Sequence, residues 1–328
     1  MNSSKRNKGD KVAISIVVPV FNEAGNLFLL YERLLATLKP LVDAYEIIFV
    51  DDGSKDNSVG IIKGLAKKDK SVKYVQFSRN FGHQIAVTAG LDHCTGAMAV
   101  IIDSDLQDPP ELIADMYRLH EDGFMVVYAK RKKREGESYF KKLTAKIFYR
   151  LLKRMTDVEI PVDTGDYRLI DRTIIELLKQ MPEPNKFLRG QIAWMGFRQT
   201  SVEYDRSERH AGSTNYPFRK MLRLAWDGIT AFSDAPLKLA STLGIIVSGV
   251  AFIIMLYALI ANFFLRTTIT GWTSLILSGM FIGGIQLLTI GIIGEYVARI
   301  SQAVKNRPLY IVEETNAGPV AETRETDE

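Results

Sequence analysis

The sequence predicts an α/β domain followed by two membrane-spanning helices. Three observations carry this. Short Val- and Ile-rich runs alternate with amphipathic segments through the first half of the chain. Two long uncharged runs follow, Leu239–Leu265 and Thr267–Gly294, each beyond the roughly 20 residues that cross a bilayer core. Basic residues gather on the outer flanks of these runs, and only Arg266 lies between them.

Met1 to Lys11 is polar and basic, and disorder is expected there. The next apolar run, Val12 to Phe21, is short, contains Pro19, lacks a small-residue cleavage pattern and leads into Asn22-Glu23. This is the pattern of a buried strand, not of a signal segment. Further strands are expected at Glu46–Val50, Val72–Phe77, Ala99–Ile102 and Met125–Tyr128. Between them Leu27–Leu38, Ser58–Lys68, Gln84–His93 and Pro110–Glu121 read as helices. Ligands of such sheets sit at the carboxyl ends of the strands. The residues just after each strand are therefore where chemistry is expected.

A soluble domain over 12–215 is followed by a juxtamembrane helix over 216–236 and spans over 237–265 and 272–298. The plain alternative for the two runs is a pair of buried core helices. The flanks hold Arg219, Lys220, Arg223 and Lys238 before, and Arg299, Lys305 and Arg307 after. Both flanks then face the cytoplasm, with the catalytic domain and the tail over 299–328. The tail from Glu313 is acidic and is expected to be disordered. A further helix is expected over about 139–155. Phe140, Leu143, Ile147, Phe148, Leu151, Leu152 and Met155 form its apolar stripe, and lysines and arginines fill the rest. It fits an interfacial helix on anionic lipid or a surface helix packed on its own domain. The 328 residues carry a net charge of +4, which gives no reason to expect nucleic acid. The single cysteine, Cys94, excludes an intrachain disulfide.

Three strand ends carry the chemistry. Asp103-Ser104-Asp105-Leu106-Gln107-Asp108-Pro109-Pro110-Glu111 follows an apolar strand. Two carboxylates so spaced can share a hard divalent cation, Mg²⁺ or Mn²⁺, with substrate phosphates. A bare Asp-x-Asp is also a common solvated loop, and the Leu-Gln-Asp-Pro-Pro-Glu that follows makes this one specific. Asp51-Asp52-Gly53-Ser54 offers a carboxylate to a base or ribose, or is an ordinary turn with a helix cap. Pro19-Val20-Phe21-Asn22-Glu23 can line a nucleotide pocket, or Asn22 can simply cap the next helix. Of the histidines, His93 and His120 read as helix-surface residues, whereas His83 and His210 adjoin motifs.

In this order and spacing the three segments resemble the nucleotide-sugar domain of glycosyltransferase family 2. Ser78-Arg79-Asn80-Phe81-Gly82, Thr164-Gly165-Asp166-Tyr167-Arg168-Leu169 and the Gly294-Glu295-Tyr296 ending the second run narrow the resemblance. The branch is that of polyprenyl-phosphate sugar synthases, which includes dolichyl-phosphate mannose synthases and the GtrB-type undecaprenyl-phosphate glucosyltransferases. The likeness spans Val12 to Val312. It implies a GT-A, Rossmann-like fold and an inverting transfer from a UDP-hexose, foremost UDP-glucose, to undecaprenyl phosphate. It implies a multi-pass protein of the bacterial inner membrane that assembles as a homotetramer. Pro19, Phe21, Glu23, Asp51, Asp52, Asp103 and Ser104 would bind the nucleotide sugar. Asp103, Asp105 and Gln107 would hold the metal. Asp105 and Asp166 would be catalytic, Asp166 at the family's base position. An acceptor phosphate is already ionised near neutral pH, so base and orienting group both stay open for Asp166. Arg168, Arg206, Arg209 and Ser213 would hold the phosphates. Here the chain departs from the pattern, with Asn215 where a lysine is usual.

Two other classes were weighed. A processive polysaccharide synthase would carry Gln-x-x-Arg-Trp, but Gln191-Ile192-Ala193-Trp194 lacks the arginine. A non-catalytic membrane scaffold would have no need of Asp103, Asp105 and Asp166. The second apolar run holds Gly279, Gly283, Gly284 and Gly291, which permit close helix packing in an oligomer.

Overall fold

The structure, a computed structural model, describes residues 12–131, 164–181, 183–205, 235–260 and 271–318. Residues 1–11, the expected helix over 139–155, residues 216–234 and the connection at Arg266 lie outside them. So do Arg206, Arg209, His210, Ser213 and Asn215.

The elements follow in the order β1 (Ile14–Val20), α1 (Leu27–Leu38), β2 (Tyr45–Asp51), α2 (Ser58–Lys68), β3 (Val72–Phe77), α3 (His83–His93) and β4 (Met98–Ile101). A 3₁₀ turn (Pro110–Leu112) opens α4 (Ile113–Glu121), and β5 (Val126–Arg131), β6 (Thr164–Asp171), α5 (Arg172–Lys179), α6 (Leu188–Trp194) and β7 (Gln199–Tyr204) complete the first part. Two long helices, α7 (Ala235–Ile260) and α8 (Trp272–Val304), precede β8 (Val312–Thr315). The eight strands form one mixed sheet in the order β7-β5-β6-β4-β1-β2-β3-β8. Strands β1, β2, β3 and β4 are parallel neighbours, while β6 runs antiparallel between β4 and β5. This is a GT-A-like α/β fold.

Every residue of β1 is buried, because helices cover both faces and a strand between them has no polar side. Ile14, Ile16, Val18 and Val20 pack with Leu27, Leu30, Leu34 and Leu38 of α1. Val17 joins Ile48, Val50 and the apolar residues of α3 on the other face. There Gly90 lets α3 sit directly on the sheet, since a Cβ at that position would lie 2.2 Å from Val17 Cγ1.

The described start of the tail, Glu313 to Gly318, departs from the expected disorder. Val312–Thr315 is a strand, antiparallel to β3, with Val75 opposite Thr315 and Gln76 opposite Glu314. The acidic side chains that argued for disorder have partners here. Glu314 accepts from Lys63 Nζ and Tyr74 OH, both at 2.6 Å, and Glu313 accepts from Gln76 Nε2 at 3.1 Å.

The chain divides into two compact units. Strands β1 to β8 belong to the first, α7 and α8 to the second. Among the described residues one stretch is long and apolar enough to cross a membrane, Phe281–Val304 within α8, with a mean hydropathy of 1.6. The expectation of two such spans is not met by the described residues. The apolar stretch of α7, Ala240–Ile254, is shorter, and the expected span over 237–265 runs beyond the helix end at Ile260.

Candidate active site

The carboxyl ends of β1, β2 and β4 open onto a cleft of about 290 Å³ lined by Pro19, Phe21, Glu23, Asp52, His83, Asp103, Ser104 and Asp105, among others. Its walls are loops held by side-chain to backbone bonds. Asn22 takes the left-handed conformation at φ 57°, its N–H donates to Ser54 Oγ at 2.9 Å and its Oδ1 accepts from Lys55 N–H at 2.7 Å. Asn22 therefore ties the β1 loop to the β2 loop and does not cap α1. Phe21 stands exposed at the rim.

The two carboxylates after β2 have different jobs. Asp52 Oδ1 accepts from Phe81 N–H at 2.6 Å, and Oδ2 accepts from Gly82 N–H at 3.0 Å, so Asp52 holds the loop after β3. Asp51 lies deeper. Its Oδ2 accepts from the N–H groups of Gly53 (3.2 Å) and Ser54 (3.1 Å). Its Oδ1 is buried without a hydrogen-bond partner among the described residues. Gly53 is required twice over. Its φ is +71°, and a Cβ there would lie 2.6 Å from the backbone carbon of Arg79.

After β4, Ser104 Oγ donates to Pro19 O at 3.0 Å and locks this loop against β1. Asp105 is buried, and its Oδ1 accepts from Gln107 N–H at 3.1 Å. Asp103 Oδ1 is buried without a hydrogen-bond donor, with His83 Nε2 at an ion-pair distance of 3.6 Å. Desolvation raises the Asp103 carboxyl to about 6, with His83 opposing and Asp166, Asp108 and Asp105 adding to the rise. A carboxylate crowded by others and short of donors is suited to a divalent cation. No group of three or more His, Cys, Asp or Glu among the described residues is arranged to hold one.

Asp166, from β6, faces the same cleft residues through His83. Its Oδ1 accepts from Arg189 Nε at 2.7 Å, and its Oδ2 from Gln84 Nε2 at 2.9 Å, with His83 Nε2 at 3.2 Å. Desolvation works to raise its pKa, but His83 and Arg189 outweigh this and hold the carboxyl well below the usual range. The same contacts act on His83. Desolvation would lower the imidazole, yet Asp166 and Asp103 raise it to about 9. His83 Nε2 thus stands between two carboxylates, 3.2 Å from Asp166 Oδ2 and 3.6 Å from Asp103 Oδ1.

The structure thus brings Asp103, Asp105, Asp166, Ser104, Asp52, Pro19, Phe21 and Glu23 around one region, with Asp51 just behind it. Gln107 contributes its backbone N–H to Asp105. Arg168 points elsewhere. It is buried, with Nη2 donating to Gly165 O at 3.0 Å and Nε to Asp166 O at 3.4 Å. It does not pair with the Asp166 carboxylate. Two residues of the cluster, Gln84 and Arg189, carried no sequence signal beyond lying next to the Phe81-Gly82 motif and opening a helix. The histidines read as surface residues are corrected. His93 is buried, with Nδ1 2.9 Å from Gly318 O, and His120 contacts Asp171 Oδ2 at 3.0 Å. Gln191 is buried and donates to Glu183 at 2.9 Å, away from the cleft lining.

Carboxylates gather at the ends of parallel strands around an open cleft, the arrangement expected of a nucleotide-sugar transferase. The comparisons specify the family. Residues 15–178 match Glycosyl transferase family 2, and the chain belongs to this family. It is 52% identical over 304 residues to the uncharacterized glycosyltransferase YkcC of Bacillus subtilis, covering 93% of this chain and 94% of that protein. It is 40% identical over 307 residues to the bactoprenol glucosyl transferase of Shigella phage SfII, covering 93% of this chain and 99% of the relative. It is 40% identical over 299 residues to the prophage bactoprenol glucosyl transferase homolog of Escherichia coli, covering 91% and 98%.

Proposed function

We propose that this enzyme moves glucose from UDP-glucose to undecaprenyl phosphate at the cytoplasmic face of a bacterial membrane. The observation that carries the reading is the near full-length likeness to bactoprenol glucosyl transferases. The carboxylate-lined cleft supports it. A phosphate oxygen of the acceptor forms the new bond to the anomeric carbon as the bond from that carbon to the diphosphate breaks, with inversion.

The donor lies along Pro19, Phe21, Glu23, Asp51, Asp52, Asp103 and Ser104. The unpartnered Oδ1 of Asp51 suits an N–H of the base or a ribose hydroxyl. Asp103 and Asp105, with Gln107, would hold Mg²⁺ or Mn²⁺, and Asp105 counts as catalytic on that account. A bound cation would neutralise the charge that builds on the leaving diphosphate. Asp166 stays ionised beneath His83, Gln84 and Arg189. A carboxylate held so far below neutrality is a weak base, and the acceptor phosphate brings no proton that must be removed. Asp166 therefore orients His83 and Arg189 toward the incoming phosphate, which Arg206, Arg209 and Ser213 also serve. Arg168 acts through the backbone of Gly165 and Asp166.

Topology supports a multi-pass anchor. Strand β8 pairs with β3, and no strand pairs through a bilayer. With α8 read as one crossing, the chain between Asp205 and Pro308 needs a second, and α7 is its proposed partner. Lys238, Arg299, Lys305 and Arg307 keep both flanks cytoplasmic, and the acceptor headgroup then lies on the side of the cleft. A homo-oligomer, a tetramer by resemblance, completes the reading. In support, Gly279, Gly283, Gly284 and Gly291 of α8 are small enough to allow close helix packing.

The test is transfer in detergent with undecaprenyl phosphate, Mg²⁺ or Mn²⁺ and a panel of labelled nucleotide sugars. Label from UDP-glucose in the lipid extract, abolished by EDTA, is expected. Label from another donor alone would refute the sugar, and binding of UDP with no lipid product would refute the acceptor.

A further inference from the structure

The segment Pro308–Gly318, which follows α8, grips the catalytic unit at three places. Its strand β8 covers the edge of β3. Just before that strand, Ile311 O accepts at 3.1 Å from the N–H of Ser78, the first residue of the loop that leads to the cleft. Its Tyr310 ring stacks on Phe77 with centroids 5.1 Å apart, and Phe77 in turn meets Phe81 edge-on at 5.5 Å. The third grip is on the far end of α3. Tyr310 OH donates to Asp92 Oδ2 at 2.9 Å, and His93 Nδ1 lies 2.9 Å from Gly318 O.

Helix α3 is the element that carries His83 and Gln84 to Asp166. At 1.5 Å per residue it is a rod of about 15 Å. Its middle is held by apolar packing, which sets its height over the sheet but is non-directional. Directional bonds occur at its two ends, to Asp166 and Leu188 N–H at one, and at the other to the strap and, from Arg172 Nη1 at 2.7 Å, to the capping Cys94 carbonyl. The loop before it is pinned by Asp52 on the cleft side and by Ile311 and Tyr310 on the strap side.

We infer that Pro308–Gly318 is a strap that positions α3 for catalysis, and that Tyr310 is the positioning residue through which it acts. The inference rests on the donor-cleft reading above. The strap does not touch the cleft. It sets where His83 and Gln84 meet Asp166, and it is joined to the end of α8 by Lys305, Asn306 and Arg307 alone.

The experiment is steady-state transfer by the full chain in detergent, with UDP binding by calorimetry alongside. Tyr310→Phe keeps the ring stack and removes only the bond to Asp92. It is expected to lower kcat about five- to tenfold with an unchanged KM for the nucleotide sugar. Asp92→Asn is expected to match it, and the double variant to lose no more than either alone. Glu314→Gln loosens the strap at Lys63 and Tyr74, away from α3. It is expected to lower the melting temperature and keep the wild-type kcat. Wild-type kcat in Tyr310→Phe overturns the inference whatever its melting temperature. So does additive loss in the double variant, or an equal kcat loss in Glu314→Gln, which would mean general loosening. Failure of the wild type to bind UDP would instead sink the donor-cleft reading, and this inference with it.

Discussion

Asp166 receives three side chains from two helices, and the role proposed for it follows from that crowding. The carboxylate is ionised throughout the neutral range, so its value lies in fixed charge and fixed geometry. Asp166→Asn keeps the shape and removes the charge. It is expected to lower kcat about 10²- to 10³-fold, the size of losing one preorganised electrostatic contact, while UDP affinity stays within about twofold by calorimetry. Gly53 is the counterpart on the donor side. Gly53→Ala forces a Cβ onto the backbone at Arg79 and Asn80 from a left-handed φ. It is expected to weaken UDP binding at least about tenfold and to destabilise the fold by about 1–3 kcal/mol, read by calorimetry and thermal unfolding. Asp103 and Asp105 were legible from their spacing. Gln84 and Arg189 were not, because an Asp166 partner is defined by where two distant helices start, and no local pattern encodes that.

The elements show where periodicity suffices and where it fails. The strands from Ile14 to Arg131 stand within a few residues of the apolar runs that announce them, since a strand buried on both faces must be apolar throughout. Strand β8 was illegible. Its Val312-Glu313-Glu314-Thr315 has no apolar face and is held by Lys63, Tyr74 and Gln76, so only its partners make it a strand. Packing at α3 gives a sharp prediction. Gly90→Ala puts a methyl against Val17, and overpacking there is expected to cost about 1–3 kcal/mol, seen as a lower melting temperature. The turn after α2 responds to acid. Asp69 accepts from Tyr31 OH at 2.7 Å and from Ser71 N–H and Oγ–H at 2.9 and 2.7 Å. Burial works to raise its pKa, but the bonds from Ser71 and Tyr31 and the charge of Lys39 hold it below the ordinary value. A depressed folded value means stability present above the unfolded pKa of about 3.9 and lost as pH falls through the folded one. Asp69→Asn is therefore expected to lower the melting temperature at pH 7 and to flatten its decline below about pH 4.

For the whole molecule the decisive fact is that the chain returns. Having passed through α7 and α8, it adds a strand to the sheet it left, so the proposed anchor has to bring the chain back to the side it started from. Gly318→Cys, in a chain whose Cys94 is changed to serine, tests this. A membrane-impermeant thiol reagent is expected to leave intact cells unlabelled and to label them after permeabilisation. Labelling of intact cells would place the strap outside and break the topology.

By itself the sequence determined the α/β class, the strand ends that carry carboxylates, and the apolar character of the last third. These are properties of composition and period, and each is written in contiguous residues. The tertiary structure decided which carboxylate pairs with which cation, that Arg168 serves the backbone, that Asn22 ties two loops together, and that Val312–Thr315 is a strand. Each of these depends on groups far apart in the chain, such as Asp166 with His83 and Arg189, or Glu314 with Lys63. A hydrogen bond is decided by position to within a fraction of an ångström, and only the packed sheet and its helices supply that position.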